Sequence, residues 1–295
     1  MSAHGSIPYR PLGRTGEQVS IIGLGGAHLS KPSEAEAIRL IRTALDQGVN
    51  FLDNSWDYYD GASERRMGKA LRDGYRQKAF VMTKFDARTR EAALQQLDES
   101  LLRLDMEAVD LWQLHEVIWR EDPDWAFAPG GAIEAMIEAR RAGKTRYLGF
   151  TGHKDPDVFL RMLDTAFAHG FTFDTVQMPL NVMDTHYASF EKMVLPVLLE
   201  HGMGVLGMTP FGDPHILRSG VVTPLECLHY TMSLPVSVVI TGVDAEAILD
   251  QDLEAARSFQ PLSAEQLRAL RARTAEAGVR GQYELYKTTT SYDGT

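Results

Sequence analysis

The sequence predicts an α/β fold, a single-domain (β/α)8 TIM barrel over residues 1–295. Short β-rich segments alternate with longer helical patterns along almost the whole chain, and eight such segments are present. Most of them are continuously apolar, which is typical of strands that helices cover on both faces. Eight repeats within about 250 residues fit one closed barrel. A doubly wound open sheet is the alternative, because alternation alone does not show whether the sheet closes.

The predicted strands are rich in Val, Ile, Leu and Phe, the residues that favour buried strands. They span residues 21–24, 50–53, 80–84, 109–114, 146–151, 175–178, 205–208 and 236–240.

The predicted helices carry apolar residues spaced three and four positions apart, and several end just before a glycine. In the first, Ser33 followed by Glu36 is the pattern of a capping box, and Gly48 ends the helix. The helices span residues 33–47, 89–104, 133–141, 156–168, 187–200, 224–232, 245–258 and 263–277.

The one long segment predicted to be irregular is 119–131, after the fourth strand. It carries Trp119, Trp125 and Phe127. Loops of this length are often functional, and an exposed insertion with incidental aromatics fits the pattern equally well.

Composition excludes several classes of protein. A single cysteine, Cys227, rules out an intramolecular disulfide framework, a four-cysteine zinc site and a cysteine-ligated iron–sulfur cluster. The net charge of −10 argues against a nucleic-acid partner or an anionic membrane surface. Residues 1–14 lack the apolar stretch of a secretion signal, and no apolar run is long enough to span a membrane. We therefore expect a cytoplasmic protein; a linear pattern does not predict its oligomeric state.

Polar residues occur where three consecutive predicted strands end, at Asp53, Lys84 and His115, and Tyr58 follows in the loop after Asp53. In barrel enzymes the carboxyl ends of the strands carry the working groups. Each residue alone has an ordinary structural explanation, as a helix cap, an ion pair, a core histidine or a packed aromatic. Their combination on successive strands predicts one site.

The four groups suit carbonyl reduction. A phenol has a pKa near 10, and a neighbouring ammonium such as Lys84 is expected to lower the pKa of Tyr58 so that it donates a proton. Asp53 would hold Lys84, and His115 would direct the substrate oxygen through a hydrogen bond. The hydride must then come from a cofactor.

In these residues the chain resembles the aldo-keto reductase family over nearly its whole length. The resemblance is carried by Tyr58 and by the segments 48–53 (GVNFLD), 61–64 (GASE), 81–85 (VMTKF), 110–115 (DLWQLH) and 147–151 (YLGFT). It implies a barrel that reduces the carbonyl group of a small molecule with NADP or NAD. It also implies that Asp53, Tyr58, Lys84 and His115 form the catalytic tetrad, with Tyr58 as the proton donor.

The resemblance implies a cofactor site that this chain matches only in part. Gln177 stands where relatives have a glutamine for the nicotinamide carboxamide, and Thr151 with Gly152 replaces their Ser-Asn pair. Met208, next to Thr209, takes the position of an aromatic under the ring. The side chain of His153 either reaches this site or, as we expect, turns outward on its loop.

At the adenosine end, relatives that prefer NADPH carry a basic residue after the eighth strand. The matching positions here are Gly242 and Ile248, and acids surround them. Acids such as Asp252 would repel a phosphate and accept ribose hydroxyls. We therefore expect weak NADP preference, tolerance of NAD, or an altered site.

Two other functions stay open. Asp53, His115 and His153 could be ligands of a hydrolytic metal ion, although Lys84 beside them would oppose a cation. The barrel could also sense a cofactor with little turnover, as the β-subunits of potassium channels do. For the reductase, we expect a substrate pocket lined by aromatic and apolar side chains, drawn from Trp56, Tyr59, Trp119, Trp125, Phe127, Met183 and Phe211.

Overall fold

The computed structural model describes residues 6–293. Residues 1–5 and 294–295 lie outside the described residues, and the first of these ranges is part of the segment 1–14 considered above. Ten strands are present in the described part: β1 Tyr9–Pro11, β2 Gln18–Ser20, β3 Ile22–Gly25, β4 Phe51–Asp53, β5 Phe80–Phe85, β6 Val109–Leu114, β7 Thr145–Thr151, β8 Thr175–Pro179, β9 Gly204–Met208 and β10 Val238–Gly242.

Strands β3 to β10 form a closed parallel barrel in chain order, and β10 pairs with β3 to complete the circle. The prediction of a (β/α)8 barrel is confirmed, and the open-sheet alternative is wrong. Every predicted strand agrees with an observed one to within two residues at each end. The pairing register sets Asp53 beside Gly25 and Thr151 beside Gln177, so the polar strand ends meet at one rim.

Apolar side chains point inward from alternate strands and fill the interior of the barrel. Phe51, Met82, Leu111, Leu206 and Val238 belong to one fully buried cluster. Below this layer, the amino-terminal hairpin of β1 and β2 closes the bottom of the barrel with Leu12 and Val19.

The hairpin was not predicted, because its strands are only three residues long and one of them is largely exposed. Its turn depends on Gly13, which has a φ of 53°. A Cβ atom at this position would lie 2.3 Å from the backbone nitrogen of Gly204. Only glycine allows the turn to approach the barrel floor so closely.

Thirteen helices surround the described barrel. They are α1 Glu34–Asp46, α2 Ala62–Ala70, α3 Arg90–Leu104, α4 Asp122–Phe127, α5 Ala132–Arg141, α6 Pro156–Ala168, α7 Phe190–Met193, α8 Leu195–Glu200, α9 His215–Arg218, α10 Pro224–Ser233, α11 Glu246–Arg257, α12 Ala264–Gly278 and α13 Leu285–Thr288. The side chain of Ser33 accepts a hydrogen bond from the Glu36 N–H and caps α1 as predicted.

Two predictions of local structure are corrected. The helix predicted over 187–200 is two short helices, α7 and α8, because Pro196 lacks the N–H that a continuous helix would need. The segment 119–131, predicted to be irregular, contains α4. The carboxylate of Asp122 organises it by accepting hydrogen bonds from the N–H groups of Ile118 and Trp119 and by pairing with Arg88.

The carboxy-terminal segment folds back over the barrel mouth and is fixed there by a buried polar cluster. The Lys287 ammonium lies 2.7 Å from Asp184 Oδ1 and 2.9 Å from Glu284 Oε1. Asn181 donates to Glu284 and to the hydroxyl of Tyr286. Because these charges are fully buried, each needs the others as partners.

Replacing Lys287 by Met is expected to destabilise the protein by about 3 kcal/mol, since it leaves the Glu284 carboxylate buried without its cation. Urea unfolding of the two proteins measures the difference. As a matched control, Lys78→Met breaks an exposed pair with Asp46 and should change the midpoint far less. Equal midpoints for both variants would contradict a structural role for the buried cluster.

Candidate active site

The centre of the rim is a buried ion pair. Asp53 is the last residue of β4, Lys84 is the fifth residue of β5, and both side chains are almost fully buried. The Lys84 ammonium pairs with Asp53 Oδ1 and donates to the backbone carbonyl of Asn54 at 2.9 Å and to the Tyr58 hydroxyl at 3.2 Å. All three ammonium hydrogens therefore have acceptors.

Gln177 belongs to the same cluster. Its Nε2 donates to Asp53 Oδ2 at 2.9 Å, so both carboxylate oxygens of Asp53 are occupied. Its Oε1 is buried and accepts no hydrogen bond from the described residues. Burying an amide oxygen without a hydrogen-bond donor costs free energy, so this oxygen is a candidate acceptor for a hydrogen bond from a ligand.

The electrostatics of Tyr58 differ from the expectation. Burial raises the pKa of the phenol to about 12, and the negative charges of Asp53 and Asp57 act in the same direction. Lys84 does lower this pKa, as predicted, but it does not outweigh burial. Tyr58 is therefore protonated at any physiological pH and offers a hydroxyl hydrogen, not a phenolate.

Lys84 stays charged in this buried position. Burial opposes its ammonium form, but the charge and hydrogen bond of Asp53, with a further contribution from Tyr58, hold the pKa of Lys84 above its ordinary value. The ion pair is thus a permanent feature of the site at neutral pH.

His115 directly follows β6, and its backbone N–H donates to the carbonyl of Phe85 at 2.7 Å. Its imidazole stands edge-on to the Tyr58 ring, with centroids 5.9 Å apart. Nδ1 lies 3.2 Å from Ser55 Oγ and 3.4 Å from Asp57 Oδ1. The four predicted catalytic residues therefore meet at one point, and Ser55 and Asp57 join them.

The sequence analysis did not single out Ser55 or Asp57. Both lie in the loop between β4 and α2, in which Tyr59 and Asp60 adopt positive φ angles. In the sequence, Asp57 was recognisable only as a carboxylate next to Tyr58. Its side chain points toward His115 because of this loop conformation.

His153 does not turn outward, contrary to the expectation. Its side chain is only 14% exposed, its ring packs edge-on against Tyr286, and Nε2 lies 4.0 Å from Asp293 Oδ1. Burial, together with the charges of His115 and Lys154, lowers the pKa of His153 to about 4, although Asp293 partly opposes this. The imidazole is therefore neutral and faces the mouth beneath the carboxy-terminal segment.

A steric contact explains why residue 152 is a glycine. A Cβ atom there would lie 2.2 Å from the carbonyl oxygen of Val117, because the loops after β6 and β7 touch at this point. The backbone thus excludes an asparagine side chain in this conformation. Thr151 is buried at the end of β7, while Met208 is partly exposed at the end of β9, and Thr209 follows it with a φ of 52°.

At the far end of the rim, Gly242 is crowded by His28. A Cβ atom at Gly242 would lie 2.1 Å from Nδ1 of that ring, so the ring fills the place of a side chain. Two of the neighbouring acids are paired, Asp244 with Lys31 at 3.4 Å and Glu246 with Arg39 at 2.9 Å.

Asp252, which was expected to face a ribose, is turned away from the surface of the mouth. It is 1% exposed in a small cavity between the barrel wall and helices α1 and α11, beside Thr241. Burial raises the pKa of its carboxyl to about 6. This orientation contradicts the expectation that its carboxylate is presented at the surface.

The expected aromatic pocket is only partly present. Tyr59 and Trp119 are about half exposed at the mouth. Phe127 packs instead against His169 and Phe171, and Met183 is fully buried in the core. Trp56 donates from its indole nitrogen to Glu99 on α3.

A metal centre is not favoured. Within residues 6–293, no group of three His, Cys, Asp or Glu side chains is arranged to hold an ion. Asp53, one of the three supposed ligands, already binds Lys84 and Gln177.

No helix of the described chain has the length and apolarity needed to cross a membrane.

The structure combines a closed (β/α)8 barrel with a buried Lys–Asp pair, a protonated tyrosine and a histidine at its mouth. This is the arrangement that the sequence analysis expected of a carbonyl oxidoreductase. Residues 21–224 match the family model described as "Aldo/keto reductase family". The chain belongs to the aldo-keto reductase family, and it is an NAD(P)H-dependent oxidoreductase that acts on carbonyl groups.

Similar proteins agree with this assignment. An L-galactose dehydrogenase from Arabidopsis thaliana is 32% identical over 231 residues, which cover 72% of this chain and 68% of that protein. Aldo-keto reductase YhdN from Bacillus subtilis (strain 168) is 30% identical over 64% of this chain, and the match spans 57% of its own length. The solved structure of aldo-keto reductase AKR11C1 from Bacillus halodurans in its holo form has a TM-score of 0.78 at 23% identity, covers 94% of this chain and 99% of that one, and shows the shared fold.

The raised pKa of Tyr58 predicts that this residue does not ionise near pH 10.5. At that pH about 3% of a phenol with a pKa near 12 is ionised, against about three quarters of an unperturbed tyrosine. Ultraviolet titration of the wild type and of Tyr58→Phe should therefore give the same tyrosinate absorbance up to pH 10.5. A deficit of about three quarters of one tyrosinate in the variant at pH 10.5 would contradict the buried, protonated state.

Proposed function

We propose that the protein reduces a small aldehyde or ketone to an alcohol, with Tyr58 as the proton donor and Asp53, Lys84 and His115 as its catalytic partners. The observation that carries the proposal is the hydrogen bond from Lys84 to the Tyr58 hydroxyl, in a site where Lys84 is itself fixed by Asp53. When Tyr58 gives its proton to the substrate oxygen, the adjacent ammonium stabilises the phenolate that forms.

Each of the four residues has a separate task in this reaction. Asp53 holds Lys84 and offsets the cost of burying its charge. Asp53 and the backbone carbonyl of Asn54 each accept one hydrogen of the Lys84 ammonium, so its third hydrogen is directed at the Tyr58 hydroxyl. His115 lies next to Tyr58 and would make a hydrogen bond to the same substrate oxygen.

The residues around Gln177 fit a nicotinamide cofactor. The buried Oε1 of Gln177 accepts no hydrogen bond from residues 6–293, and a carboxamide N–H₂ would supply one. Thr151 is its neighbour in the barrel. Met208 ends the next strand, β9, and Thr209 follows it, so both would lie against the nicotinamide ring. When bound, the reduced nicotinamide supplies the hydride that the protein side chains cannot provide.

We further propose that this site accepts NAD at least as well as NADP. The ring of His28 occupies the space in which a basic side chain at Gly242 would stand. The nearby cations Lys31 and Arg39 are already paired with Asp244 and Glu246. A 2′-phosphate would therefore have to compete with two carboxylates for these cations.

The substrate is proposed to be a small molecule that enters between Tyr59 and Trp119, two aromatic residues exposed at the mouth. The relative named L-galactose dehydrogenase suggests that a substrate panel should include sugars together with aliphatic and aromatic aldehydes.

The described elements from β1 to α13 pack as one barrel with its surrounding helices and the hairpin β1–β2, which supports a single domain over residues 1–295. We propose the cytoplasm as its compartment.

Replacing Tyr58 by Phe should lower carbonyl reduction about 10²- to 10⁴-fold, because the variant keeps the ring and loses the proton. Binding of the nicotinamide cofactor should change little, since the hydroxyl is not among its proposed contacts. Steady-state kinetics and fluorescence titration of the cofactor measure the two effects.

Activity of Tyr58→Phe near that of the wild type would refute the assignment of the proton donor. Stopped-flow oxidation of bound NADH or NADPH by the substrate panel separates the reductase from a cofactor-sensing barrel. If the wild type binds the cofactor tightly and turns over no carbonyl, the sensing function is favoured.

Removing the acid beside Lys31 should improve NADPH binding selectively. In Asp244→Ala, Lys31 is free to approach a 2′-phosphate and one repelling charge is lost, so we expect about five-fold tighter NADPH binding, or roughly 1 kcal/mol at a solvated surface. NADH binding should remain nearly unchanged. Fluorescence titration with both cofactors measures the ratio.

Asp250→Ala is the matched control, because Asp250 is exposed on α11 and the same net charge is removed. An equal gain in both variants would show that only bulk charge matters. A wild type that binds NADPH much more tightly than NADH would overturn the proposed preference.

A further inference from the structure

Two buried polar atoms face each other at the mouth of the barrel without a hydrogen bond between them. Nε2 of His153 and Oδ1 of Asp293 are 4.0 Å apart, beyond hydrogen-bond distance. Neither atom has a hydrogen-bond partner among residues 6–293, and the two side chains are only 14% and 6% exposed. Because a buried polar atom without a partner costs free energy, this pair is a candidate site for a ligand.

His153 lies beside the candidate active site. The loop that carries it is fixed to the loop after β6 by a hydrogen bond from the Val117 N–H to the carbonyl oxygen of Thr151, at 2.9 Å. Among the titratable neighbours of the His153 ring, His115 has the largest effect on its pKa. The two imidazoles, each two residues away from this hydrogen bond, therefore lie on the same side of the mouth.

Asp293 reaches the pair from the carboxy-terminal segment that crosses the mouth. Its other oxygen, Oδ2, pairs with the ammonium of Lys154, so Oδ1 is the oxygen left for another donor. Lys154 also donates to the carbonyl oxygen of Thr289 at 3.4 Å. These contacts fix a carboxylate oxygen next to the ring of His153.

The hydrogen-bonding capacity of the pair selects the kind of group that fits between the two atoms. Burial lowers the pKa of His153 to about 4, so the ring is neutral and carries one N–H. Because Nε2 faces a carboxylate oxygen, the hydrogen is favoured on Nε2, where a lone pair would be repelled. The pair therefore presents one donor, from His153, and one acceptor, from Asp293.

A hydroxyl group satisfies both atoms at once. Its oxygen accepts the hydrogen of His153 Nε2, and its single hydrogen is donated to Asp293 Oδ1. At a separation of 4.0 Å, one oxygen atom fits at about 2.8 Å from both, off the line that joins them. A carboxylate or phosphate oxygen would be repelled by Asp293, an ammonium cannot accept from Nε2, and an apolar group satisfies neither atom.

We propose that His153 and Asp293 form a subsite for a substrate hydroxyl group, so that the enzyme prefers hydroxylated aldehydes or ketones to their deoxy counterparts. The inference rests on the proposed function, in which the substrate carbonyl lies at Tyr58 and His115. A primary carboxamide could also pair with both atoms, but the proposed function assigns that of the nicotinamide to Gln177. The pair at the mouth then acts on the specificity for the substrate.

The subsite is closed in this structure, because both polar atoms are covered. A substrate therefore enters when the end of the carboxy-terminal segment lifts, and the subsite forms around the hydroxyl when the segment returns. Residues 288, 290 and 291 of this segment are exposed, whereas Lys287, which anchors its start, is buried. The contacts that hold its end include those of Lys154 and a hydrogen bond from the Tyr292 hydroxyl to Asp213 at 2.9 Å.

The test compares aldehydes that differ only in their hydroxyl groups, erythrose with butanal and glyceraldehyde with propanal. The wild type should prefer the hydroxylated member of at least one pair by about ten-fold or more in kcat/KM. His153→Phe keeps a ring and loses the donor, and in Asp293→Asn the amide oxygen stays with Lys154 while its N–H₂ replaces the acceptor. Each variant should reduce the preference about ten-fold, and His153→Gln, which restores an N–H donor, should recover part of it. Comparing the ratio in variant and wild type cancels the intrinsic reactivity of each aldehyde.

Tyr292→Phe is the matched control for a general loosening of the segment. It removes the hydrogen bond to Asp213 and leaves both atoms of the pair in place, so its preference should stay within about two-fold of the wild type. An equal loss of preference in this control would overturn the proposal, as would a wild type that prefers neither hydroxylated aldehyde. An unchanged preference in His153→Phe overturns it as well, and weaker NADH binding in that variant would then assign the pair to the carboxamide of the cofactor.

A binding measurement without turnover separates this inference from the proposed function. Erythritol and 1-butanol are the alcohols that correspond to erythrose and butanal, and neither can react in the complex with NADH. In calorimetric titrations of that complex, erythritol should bind the wild type more tightly than 1-butanol does, and about ten-fold more tightly than it binds His153→Phe. If the wild type reduces none of the aldehydes, the proposed reduction fails while this titration still decides the subsite, and equal erythritol binding by both proteins would refute it.

Discussion

The buried ion pair between Lys84 and Asp53 is the interaction on which the mouth of this barrel depends. Neither charge could be buried alone, and together they recruit the Tyr58 hydroxyl, the carbonyl of Asn54 and the amide of Gln177 as further partners. The pair spans neighbouring strands, so it exists only because the closed barrel brings β4 and β5 side by side. Opposite this pair, Gln177 reaches Asp53 from β8 across the interior, which only a barrel allows.

A consequence of this arrangement is the balance of charge around Tyr58. Lys84 lowers the pKa of the phenol, as expected. The negative charge of Asp53, which pairs with Lys84, raises that pKa and offsets part of the effect, and burial raises it more than either charge changes it. The resting site therefore stores the proton on Tyr58. The cation becomes effective when negative charge develops on the phenol during proton transfer.

The departures from the family pattern have steric causes in the backbone. Gly152 faces the carbonyl oxygen of Val117, and Gly242 faces the ring of His28. Neither position therefore has space for the asparagine or the basic residue that the family resemblance implies. At the first position, His153 turns inward under the carboxy-terminal segment. At the second, ion pairs from Lys31 and Arg39 neutralise two of the acids that dominate the local sequence. The local excess of acid is thus smaller than the sequence alone indicates.

The sequence by itself determined the barrel and the four residues at the centre of the candidate site. Strand and helix periodicities are local properties, and a polar residue at the end of an apolar strand points to the rim whatever the details of the loops. The sequence did not determine the hairpin under the barrel, the short helix α4, or the directions of Asp57, His153 and Asp252. These depend on contacts between segments far apart in the chain and on loop residues with positive φ, which no periodic pattern encodes. Only the tertiary structure decided that a carboxylate touches His115, because the conformation of one loop turns Asp57 toward a strand almost 60 residues away.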